Sequence, residues 1–345
     1  MKRVDSALEE IRSESFAVAV DAHTAGEPIR VILKGCNEKL MEQSSMVERQ
    51  QWMKNEEDVL RTRTMREPRG HAAMFGAIVM DPVEPEADVG VLFPYPAGYA
   101  DMCGHGSIGV ATVLLELDLL EAQEGKNEIT LDTPAGLVST VAHYEGGGVD
   151  RVDLFGTPSY FVETLEVELE EGERVEVALS FGGNFFGIVR AEELGLTVNP
   201  GSLDELNSYA HEIMKKINRR KDITLRHPET GNLPLERIRF VEGEGASKNV
   251  VIHEGSVIDR SPCGTGTCSQ LAWEHEKGEL EPGEDKLYRS IIGTEFRGRL
   301  AEEQMVDGRR TIIPRVTGSS YITGLNYFLA SDSDPLLDGF SINHA

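Results

Sequence analysis

The stretch Cys103-Gly104-His105-Gly106-Ser107-Ile108-Gly109-Val110-Ala111-Thr112-Val113-Leu114-Leu115 decides how this chain is read. From Gly106 to Leu117 it predicts a helix that is apolar almost all round for three turns. A helix without a polar face has to be enclosed by protein. The pattern returns at Ser261-Pro262-Cys263-Gly264-Thr265-Gly266-Thr267, ahead of a second charge-poor helix expected over Gly266 to Glu276. Both lead-ins read Cys-Gly-x-Gly-hydroxyl. One such loop is weak evidence; two in corresponding positions point to a duplicated, two-lobed protein.

The chemistry follows from the placement. A thiol at a helix N-terminus sits at the positive end of the macrodipole, among unpaired N–H groups. That setting is expected to lower its pKa from about 8.5 toward or below neutral. The glycines let the backbone approach a ligand and aim successive N–H groups at an anion. Two such helix starts suit one carboxylate held between two cysteines, which is what stereoinversion requires: one thiolate removes an α-proton and the other thiol returns one to the opposite face. Donors on the carboxylate, in a dry site, would have to stabilise the carbanion. No cofactor is implied, since no lysine has a distinctive Schiff-base context and no metal-ligand cluster stands out. Cys268 lies five positions after Cys263, about 500° of helical rotation, and reads as core. Cys36 follows Val31-Ile32-Leu33 as a small strand-end residue. Four cysteines make neither a disulfide framework nor a structural zinc site.

Further outward, short β-branched runs dominate, among them Ala17–Val20, Ile29–Leu33, Val89–Phe93, Glu128–Leu131, Arg174–Leu179, Asn249–Ile252, Ser290–Ile292 and Thr311–Val316. Glycine and proline turns punctuate them. Leu203, Leu206, Ala210, Ile213, Met214 and Ile217 share one face of an amphipathic helix, and Glu42 to Leu60 is a looser helical segment. Many strands with few helices predict an α+β or barrel-like fold. Gly146-Gly147-Gly148 marks a lobe boundary near residue 150.

The 345 residues carry 59 acidic and 34 basic side chains, 23 of the latter arginine, for a net charge of −25. Such a field repels phosphate backbones, and no basic stripe offsets it, which excludes nucleic-acid partners. No apolar run approaches the roughly 20 residues of a membrane-spanning helix. The polar first 15 residues lack the apolar core of a secretory signal, so a cytoplasmic protein without membrane association is expected. The acidity with little lysine also suggests a salt-loving cytoplasm.

The two cysteine motifs, Asp101-Met102-Cys103-Gly104-His105-Gly106 and Asp259-Arg260-Ser261-Pro262-Cys263-Gly264-Thr265-Gly266-Thr267, resemble the signatures of the proline racemase family. The resemblance extends to Asp21-Ala22-His23-Thr24-Ala25-Gly26-Glu27, Glu67-Pro68-Arg69-Gly70-His71, Ser180-Phe181-Gly182-Gly183, Ser290-Ile291-Ile292-Gly293 and Tyr321-Ile322-Thr323-Gly324. It implies the α+β diaminopimelate-epimerase-like fold, with two pseudo-symmetric lobes, each a curved sheet or barrel around a central helix, and an active site between them. Residues 1–150, completed by strands in 320–345, would carry Cys103; residues 151–319 would carry Cys263. It also implies a cofactor-independent isomerase with Cys103 and Cys263 as acid–base pair. Gly104, His105, Gly264 and Thr265 would hold the substrate carboxylate, and Asp259 the ring nitrogen, whose positive charge needs an acceptor. No metal is implied, and many relatives are homodimers.

Within that family Cys263 stands where the trans-3-hydroxyproline dehydratases carry threonine, which disfavours dehydration. Hydroxyproline epimerases tend to have a histidine shortly before the strand that here reads Arg237-Ile238-Arg239-Phe240. This chain offers Leu235, Glu236 and Arg237, with His227 as a substitute, and proline is the favoured substrate over 4-hydroxyproline. Phe75, Phe185 and Phe186 are candidates for the wall around ring C4. Two readings of a different class stay open, a non-catalytic binder of cyclic amino acids and a dithiol redox protein.

Overall fold

The computed structural model describes residues 9, 11–227, 231–243, 245, 248–306 and 308–342. The chain divides into two compact units, one of residues 1–24, 28–152 and 319–345, the other of residues 25–27 and 153–318. Each is built on the same plan.

The first unit holds strands β1 (Ala17–Thr24), β2 (Glu27–Lys34), β3 (Gly76–Met80), β4 (Val89–Tyr95), β5 (Gly98–Ala100), β6 (Gly125–Thr133), β7 (Gly136–Glu145) and the start of β8 (Gly148–Phe155). The C-terminal strand β19 (Ser320–Phe328) returns to it and pairs antiparallel with β1, from Ala17 opposite Phe328 to Thr24 opposite Ser320. Parallel pairs β2–β3 and β4–β6 alternate with antiparallel β3–β4 and β6–β7. Helix α1 (Met46–Glu56) and helix α2 (Val59–Met65) lie between β2 and β3; α3 (Gly104–Glu116) follows β5. Every residue of α3 from Gly104 to Leu115 is buried. The helix packs on β1, β3, β7 and β19, so its apolar circumference is met on all sides. Each fully buried aliphatic side chain there is worth roughly 1.5–3 kcal/mol relative to exposure.

The second unit repeats this with β9 (Tyr160–Glu168), β10 (Arg174–Phe181), β11 (Phe185–Arg190), a short β12–β13 ribbon (Arg226–His227, Gly231–Asn232), β14 (Arg237–Glu242), β15 (Lys248–His253), β16 (Asp285–Arg289), β17 (Glu295–Val306) and β18 (Arg309–Gly318). Antiparallel hairpins are linked by parallel β11–β14 and β15–β16. Helix α4 (Leu203–Asn218) lays Leu206, Ala210, Ile213, Met214 and Ile217 on the core, as its 3.6-residue pattern predicts. Helix α5 (Gly264–Glu276) is the buried counterpart of α3 and packs on β9, β10, β11, β17 and β18. The mixture of parallel and antiparallel strands around enclosed helices is the expected α+β architecture. No described helix is long and apolar enough to cross a membrane.

Three local expectations are corrected. Ser290–Ile292 is not a strand: Ser290 N–H donates to Thr294, Gly293 sits at φ 85°, and the segment is the turn joining β16 to β17. The single helix expected over residues 42–60 is divided: Ser45 caps a start at Met46 by accepting the Glu48 N–H, and Glu57 leaves helical geometry at φ −140° before α2 begins at Val59. Both cysteine helices begin at Gly104 and Gly264, so the cysteine is itself the capping residue.

Cys268 is core, 2% exposed, and its thiol is pushed up to about 12 by burial. Cys36 is pushed up to about 12 by burial and the nearby Glu57 charge. Both values exceed the ordinary 9.0, so the stabilising protonated state is intact below pH 9 and its benefit is lost as pH rises toward 12. At about 1.4 kcal/mol per pH unit, Cys268 alone removes roughly 3 kcal/mol by pH 11. Chemical unfolding followed from pH 7 to 11 should show this decline, and Cys268→Ala should flatten it. An equal decline in the variant would assign the effect elsewhere.

Candidate active site

The two cysteine loops are alike in sequence but not in backbone. Cys103 caps α3 in an extended conformation, φ −140°. Its Sγ lies 3.4 Å from His105 Nδ1, and the Ser107 N–H and hydroxyl both donate to the Cys103 carbonyl, at 2.9 and 2.8 Å. The Thr24 hydroxyl donates to the His105 carbonyl at 2.9 Å, tying this loop to β1. The rings of Phe75 and His105 meet edge to face with centroids 5.0 Å apart. A Cβ on Gly106 would stand 2.9 Å from Phe93 and 3.1 Å from Cys103 Sγ, so only glycine lets the helix start close over the sulfur.

Cys263 caps α5 at φ 63°, ψ 113°, a region that costs an L-residue of order 1–3 kcal/mol. The turn before it is held by a relay. Asp259 Oδ1 accepts the Ser261 N–H at 2.8 Å and the Ser261 hydroxyl at 2.7 Å, and Ser261 Oγ accepts the Cys263 N–H at 3.0 Å. Cys263 Sγ accepts the Gly266 N–H at 3.4 Å and lies 3.8 Å from Thr265 Oγ1. Gly264 is buried in the first turn and Thr265 half-buried beside it. Neither cysteine is in a disulfide, and they are 6% and 5% exposed.

Electrostatics correct the expectation of a low thiol pKa at this helix start. Burial pushes the Cys263 thiol well up, and the Asp259 charge adds to it. Arg239, the Gly266 N–H and Thr265 oppose this without cancelling it. Desolvation of a fully enclosed thiolate exceeds what a partial dipole charge and a few N–H groups return. Cys263 is therefore a thiol at neutral pH in the free protein.

Two buried groups beside this loop had no assigned role in the sequence. Glu27, 2% exposed, accepts the Arg260 N–H at 2.7 Å. Burial and the neighbouring Asp259 charge hold its carboxyl well above the usual range, and the protonated form donates to Asp259. Arg239, 0% exposed on β14, donates to the Pro262 carbonyl and to Gln270 Oε1, both at 2.7 Å. Glu27 falls inside the Asp21–Glu27 string, which marks the residue but not its role. Arg239 sits in an ordinary strand, where nothing in the period announces it.

The candidate wall residues separate. Phe75 stands against His105, Phe186 packs in the cluster containing Cys263, and Phe185 belongs to the main core with Phe181. Leu235 is buried in that same core. The His227 side chain lies outside the described residues.

A sequence model of the proline racemase family matches residues 19–341. The chain belongs to this family. It is 39% identical over 326 residues to the proline racemase of Clostridioides difficile, covering 93% of this chain and 97% of that protein. It is 36% identical over 331 residues to the 4-hydroxyproline epimerase of Brucella ovis, covering 94% and 97%. Among solved structures, a hydroxyproline epimerase from Agrobacterium vitis with bound trans-4-hydroxy-L-proline superposes with a TM-score of 0.84 at 29% identity, over 94% of this chain and 95% of that one. The fold, though not the sequence, is shared with a PhzF-family phenazine biosynthesis protein of Bacillus anthracis, TM-score 0.59 at 13% identity, covering 90% and 98%. The chain is thus an amino-acid racemase or epimerase of this family, an isomerase with an α+β, diaminopimelate-epimerase-like fold.

Proposed function

We propose that this enzyme racemises proline by two-base proton transfer between Cys103 and Cys263. The observation that carries the reading is that each unit presents a reduced cysteine as the cap of a buried, glycine-opened helix. In this reading the N–H groups of Gly104, His105, Gly264 and Thr265 bind the substrate carboxylate and stabilise the charge it gains toward the enediolate. Asp259 receives the ring ammonium. One sulfur abstracts the α-proton while the other, as thiol, protonates the opposite face. Neutralising Asp259 with the bound ammonium removes the second-largest cause that holds the Cys263 thiol up. Substrate then eases the ionisation its own reaction needs.

Phe75, apolar and beside His105, favours plain proline over a ring bearing a hydroxyl, since a buried unpaired hydroxyl costs about 1–3 kcal/mol. Epimerisation of 4-hydroxyproline is the second reading, favoured by the identity to the Brucella protein and by the ligand in the Agrobacterium structure. The proposal extends to a cytoplasmic homodimer, its lobes residues 1–150, completed by strands in 320–345, and residues 151–319, and to stability in concentrated salt, which the net charge of −25 would require.

Both substrates are to be incubated in heavy water without added cofactor, at low and high salt. Deuterium should enter at Cα and optical rotation should change, faster with L-proline than with trans-4-hydroxy-L-proline. Exchange with neither substrate would reject the assignment, and the reverse order would establish the epimerase. Melting temperature should rise with salt; a flat series would remove the halophilic reading.

A further inference from the structure

We infer that Arg239 is the fixed countercharge for the Cys263 sulfur, a positioning residue that stabilises the thiolate from behind the helix start. The inference rests on Cys263 being an acid–base group. Arg239 is wholly buried, yet among the described residues none of its hydrogen-bond partners carries a charge: the Pro262 carbonyl, Gln270 Oε1, and the Thr267 hydroxyl at 3.5 Å. Burying an unpaired cation is costly and calls for a compensating role. Its Nη1 and the Cys263 sulfur flank one point, since a Cβ on Gly266 would lie 2.8 Å from the first and 3.1 Å from the second. Pro262, whose carbonyl it grips, directly precedes the cysteine.

The surrounding charges are otherwise accounted for. Glu274, 0% exposed, is bound by Lys286 at 2.9 Å, by Gln270 Nε2 at 2.6 Å and by the Tyr288 hydroxyl at 2.7 Å. Glu274 is thus hydrogen-bonded to Gln270 rather than to Arg239, and its charge, like that of Asp259, acts on the guanidinium across space. The Tyr288 ring lies 5.9 Å from the guanidinium, and Cys268 feels the same cation from the helix side. Asp259, paired with the protonated Glu27, also acts on Cys263. The sulfur thus feels an anion that opposes its ionisation and a cation that favours it. When substrate ammonium neutralises Asp259, the buried guanidinium remains.

The test reads the thiol itself, so its outcome is separate from whether the protein racemises proline. Iodoacetamide labelling of Cys263, mapped by mass spectrometry, is followed from pH 6 to 11 in native protein, R239Q and R239K. In R239Q the profile should move to higher pH by about one unit or more, with labelling at pH 8 slowed about ten-fold. R239K keeps the charge and should stay within about three-fold of native. A folded R239Q with an unchanged profile overturns the inference, as does R239K falling as far as R239Q. If R239Q does not fold, E274Q decides: removing the anion at the far end of the network should move the profile to lower pH, and no movement overturns the inference.

Discussion

Cys103→Ser and Cys263→Ser should each lower kcat/KM for racemisation by about a thousandfold or more, because a hydroxyl neither ionises nor transfers a proton as a thiol does. Each serine preserves the helix cap: Cys103 makes no side-chain cap bond, and a serine at 263 can accept the Gly266 N–H as the sulfur does. Folding should be nearly unchanged and the loss confined to chemistry. Cys268→Ser is the control. That thiol is core, so the variant should retain activity while losing about 1–3 kcal/mol of stability for burying a hydroxyl. Optical rotation followed with L-proline and with D-proline measures all three. If Cys268→Ser were as damaging to turnover as Cys263→Ser, the second loop would have been assigned to the wrong sulfur.

Gly182→Ala should cost about 3 kcal/mol or more, and with it the geometry of the second loop. A Cβ there would fall 2.3 Å from the Ser269 nitrogen, 2.4 Å from the Thr265 oxygen and 2.9 Å from the Cys268 carbonyl carbon. All three are backbone atoms of α5, which cannot turn aside as a side chain does. The end of β10 is thus pressed onto the first turn of the helix that presents Cys263. Gly324 provides the contrast. It sits in β19 with nothing within 4 Å of its would-be Cβ, so Gly324→Ala should change stability by no more than about 0.5 kcal/mol. Thermal unfolding of the two variants tests the comparison, and similar losses would refute the close-approach argument.

These glycines show where sequence reading ends. Both belong to strings that mark the family, and the chain itself does not distinguish them. Only the approach of α5 to β10 makes Gly182 irreplaceable. Asp259 is similar. The sequence places it four residues before Cys263 and suggests an ammonium acceptor. The fold shows in addition that its Oδ1 holds the Ser261 turn and that its charge helps hold the buried Glu27 carboxyl above the usual range.

What the amino-acid sequence determined alone was local or repetitive: two buried helices, because a helix apolar on every side has to be enclosed; the cysteine at each start, because glycine and hydroxyl residues flank it; and the amphipathic face of Leu203–Asn218. Tertiary structure decided the electrostatics. Cys263 is a high-pKa thiol because desolvation depends on what surrounds the sulfur. Arg239 stands behind it because parallel pairing of β11 with β14 places that strand in the sheet against which α5 packs. The two loops also take different backbones, φ −140° and 63°, from nearly one motif. Helix burial follows from a periodicity written along the chain, whereas Coulomb and desolvation energies depend on distances between residues far apart in it.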